Sequence, residues 1–193
     1  MSIQVTDDYH DFKERLALAN ANTRLEQLQV FYRSVFPGVE SVTKIADVEK
    51  QRQGIDTVVT LCNGKKIYFD EKYREEDYGD ILLEEYSVWR GYPFIGNREF
   101  GPRDSVPPML AQHLVPGWLV GEKMTDYIIY IVGPSGVVYL LPFLLLQRAW
   151  RLNYFNWLAK YGRVASRNKG YHTTNIPVPV SVLFDSLYDT AQW

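Results

Sequence analysis

The spacing of apolar positions predicts that the chain begins with helices. From Asp8 to Phe36, apolar residues recur every three to four positions, as they do on one face of a helix. Asn22-Thr23 supplies a cap within this stretch, so we expect two helices rather than one. Pro37-Gly38 then marks the end of the second helix.

Short segments with β-type patterns follow this helical region. We expect a weak first strand over residues 39–45 and stronger strands over residues 54–61 and 66–72. Asn63-Gly64, between the last two, is the strongest short signal for a hairpin turn. After a polar turn, residues 81–87 form a fourth expected strand. The first half of the chain therefore predicts helices followed by an antiparallel sheet.

The second half of the chain predicts a loop, a hairpin and a helix. Residues 90–123 are rich in glycine and proline and are expected to form a long irregular loop. A second hairpin is predicted over residues 126–141, and a helix is expected from Pro142 to about Gly162. The alternating prolines that follow Ile176 limit the tail to a short edge strand at best.

Together these elements predict one α/β domain, with a mixed β-sheet flanked by helices. Its core is expected over about residues 22–162, followed by a basic segment and tail over residues 163–193. A chain of 193 residues with 46% apolar and 23% charged residues suits one soluble globular domain.

Composition also limits where the protein is expected to work. The single cysteine, Cys62, cannot form a disulfide within the chain, which favours a reducing compartment. Residues 1–8 lack the pattern of a signal peptide, and apolar stretches such as residues 137–146 are too short to span a bilayer. We therefore expect a cytoplasmic protein without membrane association.

Charge is distributed unevenly, although the net charge is only −2. Between Asp126 and Asp185 there is no acidic residue, whereas the rest of the chain holds 15 basic and 23 acidic residues. The acid-free interval contains six basic residues, Arg148, Arg151, Lys160, Arg163, Arg167 and Lys169. Aromatic residues interleave with them, and this combination is typical of nucleic-acid binding. The alternative interpretation is a helix whose solvated face is basic.

Two acidic residues and a lysine are expected to converge at one end of the first hairpin. Asp56 precedes the Asn63-Gly64 turn by seven residues and Asp70 follows it by six, so pairing of the strands brings them together. Residues two apart share a face of a strand, so Lys72 points the same way as Asp70, and Glu71 points the opposite way.

This set of side chains suits phosphodiester hydrolysis. Two carboxylates can hold Mg²⁺ while leaving positions for water and a phosphate oxygen. The ion lowers the pKa of its water, and a lysine beside it can orient the nucleophile or stabilise the phosphorane. The alternative is that Asp56 only begins a strand and that Asp70 and Lys72 are ordinary surface charges.

Two further carboxylates, Glu84 and Glu85, lie in a strand that is expected to be buried. Because they are neighbours, their side chains leave opposite faces of the sheet. A carboxylate on a sheet face is costly unless it is paired or bound to a cation. One of the two is therefore expected to join the metal site, and the strand pattern does not decide which.

The order of these residues resembles the PD-(D/E)XK nuclease superfamily, whose fold is that of the restriction endonucleases. Asp56, Asp70, Lys72 and Glu84 match its motif in sequence order, although Ile55 stands where the motif has proline. The similarity to small phage-borne and bacterial members spans about residues 22–150 and includes residues 51–56, residues 84–87, Gly117-Trp118 and Asp126-Tyr127.

This resemblance implies a deoxyribonuclease that depends on Mg²⁺ or Mn²⁺. Asp56 and Asp70 would bind the metal ion, and Lys72 would assist the attacking water. Glu84 would be an auxiliary metal ligand. Gly117-Trp118 has no mechanistic interpretation and is assigned to core packing.

The expected partner is DNA. Its phosphates would be contacted by Arg148, Arg151 and Arg163, and a homodimer is compatible with the resemblance because members often dimerise to cut two strands. Related members often place a glutamate on the first helix, and both Glu14 and Glu26 are candidates for it. The alternative function is a nuclease-fold module of a phage or mobile element that binds nucleic acid or is structural and does not cleave.

Overall fold

The chain folds into helices and strands in mixed order. The computed structural model describes residues 25–89, 114–133, 135–168 and 171–192. Its helices are α1 (Leu25–Val35), α2 (Val48–Arg52), α3 (Phe143–Tyr161) and α4 (Val180–Ala191). Its strands are β1 (Val39–Lys44), β2 (Thr57–Leu61), β3 (Lys66–Arg74), β4 (Asp80–Trp89), β5 (Leu114–Pro116), β6 (Tyr127–Val132), β7 (Val137–Pro142), β8 (Val164–Asn168) and β9 (Tyr171–Pro179).

Five strands form a mixed sheet in the order β1-β2-β3-β6-β7. Strands β3 and β6 run parallel, and the other neighbours are antiparallel. The hairpin between β2 and β3 turns at Asn63-Gly64 as predicted, because Gly64 adopts a φ of 81° and the Asn63 side chain accepts the Lys65 N–H at 3.0 Å. The predicted α/β fold with a mixed sheet flanked by helices is confirmed.

A second sheet of four antiparallel strands, in the order β5-β4-β9-β8, was not predicted. The expectation of a short edge strand at Ile176 is wrong, because β9 lies between β4 and β8. Strand β8 pairs with β9 only as far as Asn175, so at Pro177 and Pro179 the only described strand beside β9 is β4. A proline is tolerated there because no second strand needs its N–H.

The hydrophobic core extends beyond residue 162, where the sequence pattern predicted its end. Ile176 and Val178 of β9 are fully buried, and so is Leu183 of α4. They pack in one cluster with Ile81 of β4 and with Leu146 of α3. The C-terminal segment is therefore part of the core rather than a tail beside it.

Helix α3 follows the prediction closely. Pro142 precedes its first residue, and Gly162 ends it with a φ of 65°. Trp150 and Trp157 are buried on its inner face. Among the helices of the described ranges, none is both long enough and apolar enough to cross a membrane.

Strand β3 lies between two layers, and its side chains alternate between them. Phe69 packs with Tyr32 of α1 on one side of the mixed sheet. On the other side, Ile128 and Tyr130 of β6 pack with residues of the second sheet. Asp70 and Lys72 are the β3 partners of these two residues, so both point into the space between the two sheets.

Candidate functional site

Asp56 is fixed beside β3 by backbone hydrogen bonds. Its N–H donates to the Phe69 carbonyl at 2.8 Å, and its carboxylate Oδ2 accepts the Glu71 N–H at 2.8 Å. Its own carbonyl accepts the Ile45 N–H at 2.8 Å, which ties it to the strand on the other side. The side chain that was predicted to approach Asp70 is therefore held at the end of the hairpin.

Asp70 and Lys72 lie on the same face of β3, as their spacing predicted. The Lys72 Nζ donates to Asp70 Oδ1 at 2.6 Å, and Asp70 is only 2% exposed. Glu71 faces the opposite way, where Tyr32 and Thr57 donate to its Oε1 at 3.0 and 2.6 Å and Lys44 pairs with its Oε2. Glu71 thus belongs to a separate polar contact with α1.

The carboxyl groups of Asp56 and Asp70 interact through their charges and through a hydrogen bond. Burial raises the pKa of Asp56 to about 7, and the charge and the hydrogen bond of Asp70 add to this increase, against the opposing charge of Lys72. Burial alone would lower the pKa of Lys72, but the charges of Asp70 and Asp56 outweigh it and raise that pKa. Lys72 is therefore a charged ammonium group beside a crowded pair of acids.

Glu84 of β4 approaches this pair from the second sheet. Burial raises its pKa, against a hydrogen bond from Ser87 and the positive charges of Lys72 and Lys123. The Ser87 hydroxyl donates to Oε1 at 2.9 Å. The electrostatic interactions with Lys72 and Asp70 place Glu84 near these two residues, and its role as a metal ligand stays a prediction.

Glu85 is buried on the opposite face of β4 and has its own partners. Arg163 donates to Oε2 through Nε at 2.8 Å and to Oε1 through Nη2 at 3.1 Å, and the Tyr154 hydroxyl also donates to Oε1. The prediction that Arg163 contacts DNA phosphates is thereby corrected, because this guanidinium is committed to a buried carboxylate. The predicted separation of the two glutamates is confirmed.

The other basic residues have different surroundings. Arg148 and Arg151 are exposed and lie one turn apart on α3, and both are free of ion pairs within the described residues. Glu14 lies outside the described residues, and the side chain of Glu26 is not among those described. Glu14 and Glu26 therefore both remain candidates for the glutamate on the first helix.

Three residues at the site were not identified from the sequence as functional. A Cβ on Gly117 would lie 2.5 Å from the Glu84 carbonyl oxygen, so only glycine allows this loop to approach β4 so closely. Next to it, the buried Trp118 ring has the Lys72 Nζ at 5.9 Å from its centroid. Lys123, in the same loop region, interacts electrostatically with Asp70. The Gly117-Trp118 pair was the sequence feature that could have identified the first two residues. No local sequence pattern marks Lys123.

The donor set fits a hard divalent cation, although no complete ligand cluster is present. Within the described residues, no three His, Cys, Asp or Glu side chains form a group arranged to hold a metal ion. Asp56 and Asp70 nevertheless offer carboxylate oxygens, and burial together with the repulsion between them raises the pKa of Asp56 to about 7. A cation that replaced this proton would relieve the repulsion, and oxygen ligands are those that Mg²⁺ prefers.

Comparison with known proteins adds no relative to these observations. The chain matches no protein family model, no curated protein and no solved structure. Its functional interpretation therefore rests on the geometry and electrostatics of the residues between the two sheets.

Proposed function

We propose that this chain is a metal-dependent nuclease of the PD-(D/E)XK type that hydrolyses phosphodiester bonds of DNA. The observation that carries the proposal is the close grouping of Asp56, Asp70 and Lys72 at the end of the β2–β3 hairpin. Two carboxyl groups that interact this closely in a buried position are stabilised when a cation binds between them.

Asp56 and Asp70 would hold Mg²⁺ or Mn²⁺, and Glu84 would be an auxiliary ligand or hydrogen-bond acceptor. The bound ion would polarise the phosphate and lower the pKa of a water molecule. One carboxylate oxygen of Asp70 accepts the hydrogen bond from Lys72, so the other oxygen can bind a cation.

Lys72 would act through its charge. Its raised pKa keeps it protonated at neutral pH, so it is suited to stabilise negative charge and to orient water rather than to remove a proton. Asp70 holds its ammonium group at 2.6 Å, and the Trp118 ring borders it at 5.9 Å. Two fixed neighbours thus define where Nζ lies when a substrate enters.

Arg148 and Arg151 would bind backbone phosphates. Both are exposed on α3 and belong to the acid-free interval of the chain. Phosphate contacts of this kind supply affinity without sequence information. Exposed residues of α3 would thus bind DNA, and the residues at the end of the β2–β3 hairpin would catalyse hydrolysis.

Cleavage of DNA by matched variants tests this proposal. Supercoiled, linear, branched and single-stranded DNA are incubated with the purified chain in Mg²⁺, Mn²⁺ or EDTA. We expect cleavage that requires the metal and is lost in Asp70→Asn and in Lys72→Ala, while Glu40→Gln, which changes an exposed carboxylate, cleaves normally.

Circular dichroism of each variant confirms that it is folded. Cleavage by both variants at the wild-type rate, with contaminants excluded, would show that the active-site assignment is wrong. DNA binding by the wild type without any cleavage would instead support the alternative of a non-cleaving module.

A further inference from the structure

Lys123 is a second ammonium group near the site, and hydrogen bonds to backbone carbonyls hold it and its loop in place. Its Nζ donates to the Arg52 carbonyl at 2.7 Å. The next residue, Met124, donates its N–H to the Gln53 carbonyl at 2.8 Å. The loop that precedes β6 is therefore pinned across the end of α2, immediately before the turn that leads to Asp56.

Gly54 makes room for the stem of this lysine. It adopts a φ of 79°, and a Cβ there would lie 3.2 Å from both Cβ and Cδ of Lys123. Glycine is favoured at position 54 for two reasons, because the turn has a positive φ and because the Lys123 side chain lies close to the Cα. The Lys123 stem therefore packs over the turn that lies two residues before Asp56.

The ammonium group of Lys123 lies within electrostatic range of the site. It interacts electrostatically with Asp70, Glu84 and Asp56, and burial together with the nearby Lys72 lowers its pKa. No carboxylate of the described residues forms an ion pair with it, in contrast to Lys72. An ammonium group has three donors, and the Arg52 carbonyl takes only one.

We propose that Lys123 binds a non-bridging oxygen of the substrate phosphodiester, opposite the position that Lys72 occupies. This inference rests on the proposed function and adds a substrate-binding residue to it. Three carboxylates, two lysines and one divalent ion leave the site with a net positive charge, which favours a phosphate anion. Without Lys123 the net charge of these groups is zero, so the site no longer attracts the phosphate anion by its net charge.

The competing explanation is that Lys123 only ties its loop to α2. Lys123→Met keeps the apolar stem over Gly54 and removes both the charge and the hydrogen bond to the Arg52 carbonyl, which is exposed and can bind water instead. Tm therefore reports on the tie to α2, and DNA affinity reports on the charge. Lys123→Arg restores the charge, and Lys65→Met removes an exposed lysine at the far end of the hairpin as a matched control.

The experiment measures binding of a fluorescein-labelled DNA duplex in Ca²⁺ over a range of salt concentrations, cleavage kinetics in Mg²⁺, and Tm. For Lys123→Met we expect affinity about tenfold weaker, as for one lost charge-assisted hydrogen bond. The log–log salt slope should fall by about 0.9. KM should rise with Tm unchanged, while Lys123→Arg and Lys65→Met stay near the wild type.

The outcomes separate this inference from the proposed function. If the wild type cleaves and Lys123→Met keeps its affinity, slope and KM, the inference is overturned and the nuclease stands. If Tm falls together with affinity and arginine does not restore either, Lys123 is structural and the inference is overturned. If the wild type binds without cleaving and the slope still falls in Lys123→Met, the inference stands and hydrolysis does not. If the wild type neither binds nor cleaves DNA, both are overturned.

Discussion

Adjacent residues of one strand place two carboxylates in opposite kinds of surroundings. Glu85 belongs to a closed cluster, made of Glu85, Tyr154 and Arg163, in which every carboxylate oxygen accepts a hydrogen bond from a neighbouring side chain. Glu84 belongs to an open cluster, made of Asp56, Asp70, Lys72, Glu84 and Lys123, in which three acids face two ammonium groups.

The difference between the two clusters separates a structural role from a functional one. In the closed cluster, charge and hydrogen bonds are matched, so Glu85 has the partners that a buried carboxylate needs. In the open cluster, burial and the nearby charge of Asp70 raise the pKa of Asp56 to about 7, although the charge of Lys72 opposes this increase. An excess of buried acid costs stability, and a bound cation is what would offset that cost.

The largest effect is expected from breaking the closed cluster. Arg163→Met leaves Glu85, which is 2% exposed, without its cationic partner. Removal of one member of a buried ion pair costs about 3 kcal/mol or more. Urea denaturation should therefore show a free energy of unfolding lower by roughly that amount.

The double variant Arg163→Met/Glu85→Gln sharpens this test. It removes the unpaired charge, so it should recover part of the lost stability. An unfolding free energy of Arg163→Met equal to that of the wild type would mean that Glu85 is not held by this pair.

The next effect concerns pH and the open cluster. The pKa of Asp56 is raised from 3.8 to about 7 in the folded chain, so the folded state binds the proton more tightly than the unfolded state. Stability in EDTA should therefore fall as pH rises from about 4 to about 7, and then level off.

Asp56→Asn is the matched comparison for this pH dependence. It cannot ionise, so its unfolding free energy should lack that decline and should exceed the wild-type value most clearly above pH 7. Parallel pH profiles of the two proteins would contradict the crowding of Asp56 against Asp70.

A smaller but more specific effect should distinguish the two glutamates. Glu84→Gln should reduce metal-dependent cleavage and change stability little, or raise it without metal, because a crowded carboxylate is removed. Glu85→Gln should leave cleavage nearly intact and lower stability by about 1–3 kcal/mol, because the ion pair with Arg163 is lost. Cleavage assays and urea denaturation of both variants measure this difference, and the reverse pattern would assign the site to the other face of β4.

The hairpin end could be predicted from the sequence because its determinants are local. Asn63-Gly64 sets the turn and hence the register, and the two-residue period of a strand places Asp70 and Lys72 on one face. The second sheet could not be predicted in this way, because β4 pairs with β9 across a long stretch of chain. Its prolines also favoured an edge position, which is true only beyond Asn175.

The partners of the basic residues could not be predicted from the sequence either. Arg148 and Arg163 carry the same charge in the same acid-free interval, and only the tertiary structure shows that one is exposed and the other bound to Glu85. Lys123 likewise reaches the site through the path of its loop over Gly54, which no periodic pattern encodes.

The smallest effect is expected at the exposed arginines. Arg148→Gln/Arg151→Gln should weaken DNA binding and reduce the log–log salt slope by about 0.9 for each lost duplex contact, without a change in unfolding free energy. Fluorescence anisotropy over a range of salt concentrations measures the slope. The same slope as in the wild type would mean that this part of α3 is only a solvated face.

Calorimetric titration with Mn²⁺ tests most directly the claim that the open cluster is a metal site. Titrations of the wild type, Asp70→Asn and Glu40→Gln use protein freed of metal with EDTA. We expect the wild type and Glu40→Gln to bind the ion, with affinity that rises with pH as Asp56 releases its proton, and we expect Asp70→Asn to lose this binding. Equal binding by Asp70→Asn, or no binding by the wild type at millimolar Mn²⁺, would contradict the account.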